Sequence, residues 1–190
     1  MKAMVLEDIH DLGQEERPLK LRELPRPEPA RGEVLLKVTA CGVCHTELDE
    51  IEGRTAPPDL PVIPGHQVIG RVEQTGMGAN RLGVGDRVGV AWIYSACGEC
   101  DYCRAGQENL CPDFRATGRD ADGGYAQYMT VREDYALRIP AALGDLQAAP
   151  LLCAGAIGYR SFRLAGVGEA GRLGLTGFGA SAHLVLKMIK

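Results

Sequence analysis

Four cysteines crowd one stretch of this chain: Cys97, Cys100, Cys103 and Cys111, spaced C-x2-C-x2-C-x7-C. Thiolates are ligands that zinc prefers, and four of them so close in sequence can close a tetrahedral site within one loop. Four thiolates leave no open coordination position, so the ion they hold does no chemistry. The competing reading is free thiols or disulfides, which belong to redox motifs or oxidising compartments. Met1–Asp8 has no apolar core long enough for a signal peptide. No stretch approaches transmembrane length. A cytoplasmic location with reduced thiols is expected, and with it a structural zinc.

A second set of ligand-type residues is scattered. Cys44 lies in Gly42–Thr46, His66 in Pro64–Gln67 and Cys153 in Leu152–Gly155, each beside a tight turn. Two thiolates, one imidazole and one open position make a catalytic zinc site. A single buried cysteine is more often a small hydrophobe, and a lone histidine is more often structural. The residues alone leave both readings open. Near the C-terminal end, Arg172–Thr176 reads as a buried strand, Gly177–Ala182 as a G-x-G-x-x-A turn and 183–190 as the start of a helix. That order opens a dinucleotide-binding unit. Gly177 permits the tight turn, Gly179 lets backbone approach a pyrophosphate, and Ala182 allows close helix packing. Free N–H groups at the helix start favour phosphate. An ordinary turn with small residues is the alternative.

The elements that must position these groups are mostly strands. Gly (25) and Pro (11) are plentiful and aromatic residues scarce at 5%, which suits short strands and turns. Val34–Ala40, Val68–Glu73, Arg87–Trp92 and Tyr125–Val131 read as strands, the last by its alternation. Near residue 150 the texture changes, and Gln147–Ile157 reads as helical. Charge is nearly balanced, 21 Lys+Arg against 25 Asp+Glu for a net −4. No basic patch points to nucleic acid and no charge block to a tail.

Taken in order, the segments resemble the zinc-dependent medium-chain alcohol dehydrogenases. The resemblance rests on Gly42-Val43-Cys44-His45-Thr46, Gly65-His66 with Gly70, Gly85-Asp86-Arg87-Val88, the four-cysteine loop, Asp122–Ala126, Cys153 and Gly177-x-Gly179. It implies a β-rich GroES-like domain over 1–150 and the start of an α/β Rossmann dinucleotide-binding domain over 151–190. It also implies two zinc ions per chain. Cys44, His66 and Cys153 would hold the catalytic one, and Cys97, Cys100, Cys103 and Cys111 the structural one. Cys41 is left as an inert neighbour. The implied reaction passes a hydride between a small alcohol or aldehyde and NAD or NADP. Thr46 matches the family's proton-accepting hydroxyl, and His45 a position near the cofactor pyrophosphate. Trp92 matches a bulky pocket wall that narrows the site towards slender alcohols; a plain core role is its alternative. The intact protein is expected to be a homo-oligomer.

Three positions depart from the family pattern. Gln67 stands where a Glu usually follows the zinc histidine. Glu47 replaces the more common Asp that orients that histidine, and its longer side chain can still do so. Asp49 stands where many members carry a proton-relaying His; a carboxylate relays at a much lower pKa. Length departs furthest. Family members are nearly twice as long, and Lys190 falls inside the first Rossmann helix. The chain is therefore expected to be a truncated part of the enzyme, inactive alone, with Leu173, Leu175, Leu184, Leu186 and Ile189 lacking partners. A non-catalytic zinc-binding GroES-like module is the second function carried forward. A quinone-reductase-like relative is disfavoured because it would lack both zinc sites.

Overall fold

The computed structural model describes residues 1–168 and 171–189. The chain opens with a hairpin of β1 (Lys2–Leu6) and β2 (Leu19–Glu23), followed by β3 (Glu33–Cys41) and α1 (His45–Ile51). Strands β4 (Val68–Thr75), β5 (Arg87–Val90) and β6 (Ile93–Ser95) come next. The cysteine-rich loop carries α2 (Asp101–Arg104), followed by β7 (Arg115–Ala116), β8 (Tyr128–Arg132) and β9 (Ala136–Arg138). Helices α3 (Asp145–Ala148), α4 (Ala154–Ala165) and α5 (Ala180–Met188) complete the described chain. No helix among the described residues is long and apolar enough to cross a membrane.

The main sheet is antiparallel, in the order β8-β3-β4-β5-β9. Its register pairs Val38 with Gly70 and Cys41 with Val68, Leu36 with Met129 and Val68 with Val90. Alternation dictates which side chains go inside. Val34, Leu36, Val68, Val72, Val88, Val90, Met129 and Val131 form one buried cluster. Each such side chain contributes about 1.5–3 kcal/mol when fully buried. Ile69, next to Val68, points to the opposite face and meets Ala148, Ala149 and Leu152. Strand β4 is thus buried on both faces, and the segment leading to Cys153 is seated on the sheet. Gly89 makes room for it, since a Cβ there would lie 2.9 Å from Leu152 Cδ1.

The four strands read from the sequence coincide with β3, β4, β5 and β8, with ends displaced by up to three residues. The helical reading of Gln147–Ile157 needs refinement. The segment is α3, a 3-10 turn over Ala149–Leu152, a break at Cys153 with φ −129° and ψ −76°, and then α4. Pro150 removes an N–H donor in that stretch, consistent with a tight turn before the break.

The reading of Arg172–Thr176 as a buried strand is wrong for this structure. Those residues pair with no strand, and Leu175 is exposed. A strand intended for the interior of a parallel sheet has no ladder of its own, and none is offered among the described residues. The isolated apolar side chains fared unevenly. Leu175 and Ile189 are exposed, Leu173, Leu184 and Leu186 are half-buried, and Val185 is buried. Val185 reaches α4 where Gly158 leaves space. The last helix also begins earlier than read, at Ala180, so Ala182 lies in its first turn.

Candidate metal centres and the cleft beside them

The cysteine-rich loop folds as its spacing requires. The thiol sulfurs of Cys97, Cys100, Cys103 and Cys111 all lie within 4.8 Å of one another. None is in a disulfide. Cys97 Sγ stands 3.9 Å from Cys103 Sγ and 3.5 Å from Cys111 Sγ. Tetrahedral arms of about 2.3 Å place two sulfurs about 3.8 Å apart. Backbone N–H groups also turn towards sulfur: Cys100 N–H donates to Cys97 Sγ at 3.3 Å and Cys97 N–H to Cys111 Sγ at 3.4 Å. Amide donors from Glu99 and Cys100 bring the Cys97 thiol down to about 7. The donor set fits zinc.

The second set comes from three separate places. Strand β3 ends at Cys41, and Cys44 caps the start of α1. Its N–H donates to Glu47 Oε2 at 2.7 Å. The other oxygen of that carboxylate, Oε1, lies 2.7 Å from His66 Nδ1. Glu47 and His66 are both buried. One side chain therefore ties the helix start to the imidazole and leaves Nε2 as the free ring nitrogen. The backbone break at Cys153 presents the third group, with its Sγ 3.8 Å from Cys44 Sγ. That is the spacing of two corners of a zinc tetrahedron, far beyond a disulfide bond of about 2.05 Å. His66 Nε2 is buried without a partner, which is costly unless a ligand takes it up. The two sulfurs and a ring nitrogen of His66 lie within 4.8 Å of one another. They fit a zinc ion with one position left open.

The electrostatics agree with that donor set. The Cys153 S–H, followed by the His66 ring, brings the Cys44 thiol down to about 3. Cys153 is pushed up by its hydrogen bond to Cys44 and by burial. Burial opposes charge on His66, but Cys44 and Glu47 outweigh it and raise the ring to about 9. Cys41 belongs to neither set, and burial pushes its thiol up to about 12.

Placement of His66 depends on Gly65. Its φ is +101°, and a Cβ would lie 2.6 Å from Tyr125 Cδ1 and 2.9 Å from Cys41 Sγ. Gly123 packs equally tightly on the other side, where a Cβ would lie 2.2 Å from Gly65 O. Gly65→Ala combines a left-handed φ with a clash. It should lower stability by at least about 2 kcal/mol, read as a lower denaturation midpoint with unchanged slope.

A cleft of about 750 Å³ opens beside this set, lined by Thr46, His66, Trp92, Ile93, Leu152 and Cys153 among others. Thr46 Oγ1 is 3.5 Å from Cys44 Sγ. The Trp92 ring meets the His66 ring edge-on at 5.0 Å and 78°. Thr46 and Trp92 thus join the ligand residues in one place. His45 and Asp49 do not line the cleft. His45 is exposed, with Nε2 3.8 Å from Asp49 Oδ1, and Asp49 Oδ1 accepts from Arg54 Nε at 2.6 Å. Gln67 is buried, and its carbonyl accepts from the Gly42 N–H at 2.9 Å, just ahead of Cys44. Gly177, with φ +78°, and Gly179 lie on an exposed turn before α5.

The sequence reading missed two residues, Glu50 and Arg119. Glu50 is fully buried with neither oxygen partnered. Burial first, and then the Glu47 charge, raises its carboxyl to about 8. Its spacing of three from Glu47 on one helix was the available signal. Arg119 lies over the Trp92 ring, 5.7 Å from the centroid; nothing in its sequence context marks it.

Residues 30–141 match the family described as alcohol dehydrogenase GroES-like domain. An alcohol dehydrogenase of Geobacillus stearothermophilus is 42% identical over 191 residues, covering 100% of this chain and 55% of its own length. A probable alcohol dehydrogenase AdhA of Mycobacterium tuberculosis is 51% identical over 172 residues, 85% of this chain and 48% of its own. Among solved structures, a cobalt- and zinc-bound thermostable alcohol dehydrogenase from Pyrobaculum aerophilum superposes with a TM-score of 0.89. It is 27% identical, covering 100% of this chain and 55% of that one. The chain thus spans about half the length of the curated relatives it matches.

Proposed function

This chain belongs to the zinc-type medium-chain alcohol dehydrogenases, as their GroES-like N-terminal part, and on that premise we propose that it carries the metal-binding half of an NAD(P)-dependent alcohol oxidoreductase. The substrate is a small alcohol or its aldehyde or ketone. One observation carries the reading: Cys44, His66 and Cys153 converge at an apolar cleft. These residues would hold a zinc ion, which when bound would supply a Lewis acid to the alcohol oxygen, and NAD or NADP would supply the hydride acceptor. The cysteine loop holds the structural zinc.

The remaining work falls to side chains. Glu47 holds the His66 ring in orientation, as a carboxylate behind a metal-bound imidazole does. Trp92, Ile93 and Leu152 line the cleft, limit its width and exclude water. The Thr46 hydroxyl is the group placed to accept the alcohol proton and pass it on. Residues 1–150 form the zinc-bearing domain and 151–190 open the cofactor domain. There the turn Gly177–Ala182 and the first N–H groups of α5 would hold the cofactor pyrophosphate, and exposed His45 would add a donor for it.

Two measurements test this reading. Elemental analysis of the folded protein should give two zinc equivalents per chain, and NAD- or NADP-linked oxidation of small primary alcohols should accompany it in the enzyme that contains this chain. One equivalent, or no alcohol oxidation with either cofactor, removes the catalytic reading and leaves a zinc-bearing module.

Asp49 is the proposed next carrier after Thr46, one turn along α1 but held by Arg54. Asp49→His replaces it with a group that titrates near neutrality and should move the acid limb of the pH–rate profile upward. Superimposable profiles for the two proteins would show that protons leave by another route.

A further inference from the structure

The protein has one tryptophan, and its indole forms a wall of the cleft. Three groups surround that ring. His66 meets it edge-on at 5.0 Å, Phe114 lies tilted at 6.4 Å, and the Arg119 guanidinium lies over it at 5.7 Å. Of these Arg119 is the permanent cation, and it too is held by a partner. Its Nε donates to Asp120 Oδ1 at 2.9 Å and its Nη2 to Oδ2 at 2.7 Å. This fork-to-fork pair fixes the plane of the guanidinium. Asp120 is in turn anchored, its Oδ2 accepting from the Ala116 N–H at 2.6 Å.

Glu50 is fully buried, and neither oxygen has a hydrogen-bond partner. The charges acting on it include Glu47 and Asp120, which oppose its ionisation, and His66 and Arg119, which favour it. Arg119 responds in kind, held charged by Asp120 and by Glu50. The Asp120 fork thus restrains the guanidinium from moving towards solvent, and hence away from the indole.

We propose that Arg119 is a positioning residue for the specificity of the cleft: clamped by Asp120, it fixes the Trp92 ring and thereby the width offered to substrate. The specificity part rests on the proposed alcohol oxidation, whereas the positioning part does not. A cation over an indole face holds it by charge–quadrupole attraction. Once that contact is lost, nothing charged retains the ring against His66, and the cleft admits bulkier groups.

The test uses the zinc-loaded protein and Trp92 fluorescence, which reports on a single site. Arg119→Met keeps length and apolar contact but removes the charge. It should raise acrylamide quenching of Trp92 about twofold, and Arg119→Lys should return most of the protection. In the active enzyme the preference for a slender primary alcohol over a branched one, as a ratio of kcat/KM, should fall about tenfold in Arg119→Met. Asp120→Asn, which weakens the fork, should move both readouts in the same direction by less, and it serves if Arg119→Met does not fold. Unchanged quenching in both variants overturns the positioning role. Changed quenching with unchanged selectivity overturns the specificity role. If the unaltered enzyme oxidises no alcohol, the proposed activity fails while quenching still decides whether Arg119 holds Trp92.

Discussion

Cys44→Ser should leave a folded protein with one zinc equivalent instead of two, and alcohol oxidation in the enzyme should fall by about a thousandfold or more. The two ligand sets share no residue, so loss of one leaves the other intact. A serine oxygen is a poor substitute for a thiolate that zinc selects by softness. With Cys44 gone, His66 and Cys153 remain as only two ligands. Lewis-acid stabilisation of developing negative charge is worth several kcal/mol, and each 1.36 kcal/mol is about tenfold in rate. Glu47 still caps α1 through the backbone N–H of residue 44, a contact that serine keeps, so the fold should hold. Metal content that starts near one and does not change on mutation would remove the catalytic site from the account.

Cys103→Ser should act in the opposite manner, on the fold before the chemistry. The loop from Cys97 to Cys111 contains only α2, a short 3-10 turn and few buried side chains, Cys111 among them. It has little apolar core of its own. A structural zinc in small domains contributes about 10–16 kcal/mol of apparent binding free energy, which rivals the roughly 5–15 kcal/mol net stability of a whole domain. Loss of one of four thiolates should release that ion, open the loop and lower the yield of soluble protein. Thermal unfolding with a metal count on the surviving fraction measures this. Cys41→Ala is the matched control, since Cys41 belongs to neither set, and it should retain both ions. A Cys103→Ser protein as stable as its parent would mean that the loop stands without metal.

These two outcomes differ because the two sites were legible to different degrees. The cysteine loop could be read directly, since its ligands lie within 15 residues and a short chain can close on one ion with little help. Strands β3, β4, β5 and β8 were legible for a related reason: hydrophobic alternation is a local signal, and it matched the buried faces. The hairpin of β1 and β2, and the cap that Glu47 forms, carried weaker signals and went unread.

The set of Cys44, His66 and Cys153 is of another kind. Cys44 and Cys153 stand 109 residues apart yet 3.8 Å from sulfur to sulfur. No spacing rule reaches that far: ligand-type residues beside tight turns left the grouping open, and the resemblance to known enzymes implied it. The antiparallel pairing of β3 with β4 and the seating of Leu152 on Ile69 bring the three together. Arg172–Thr176 makes the converse point: a local pattern suited to a strand became none, because ladder hydrogen bonds must come from neighbours. Residue types and short spacings by themselves determined the closed cysteine site, the four strands and the glycine turn. Tertiary packing alone decided which distant thiols share a cleft with His66, that Glu50 is buried without a partner and that Arg119 rests on Trp92. Long-range contacts are set by the burial of whole faces, and burial is a property of the assembled sheet.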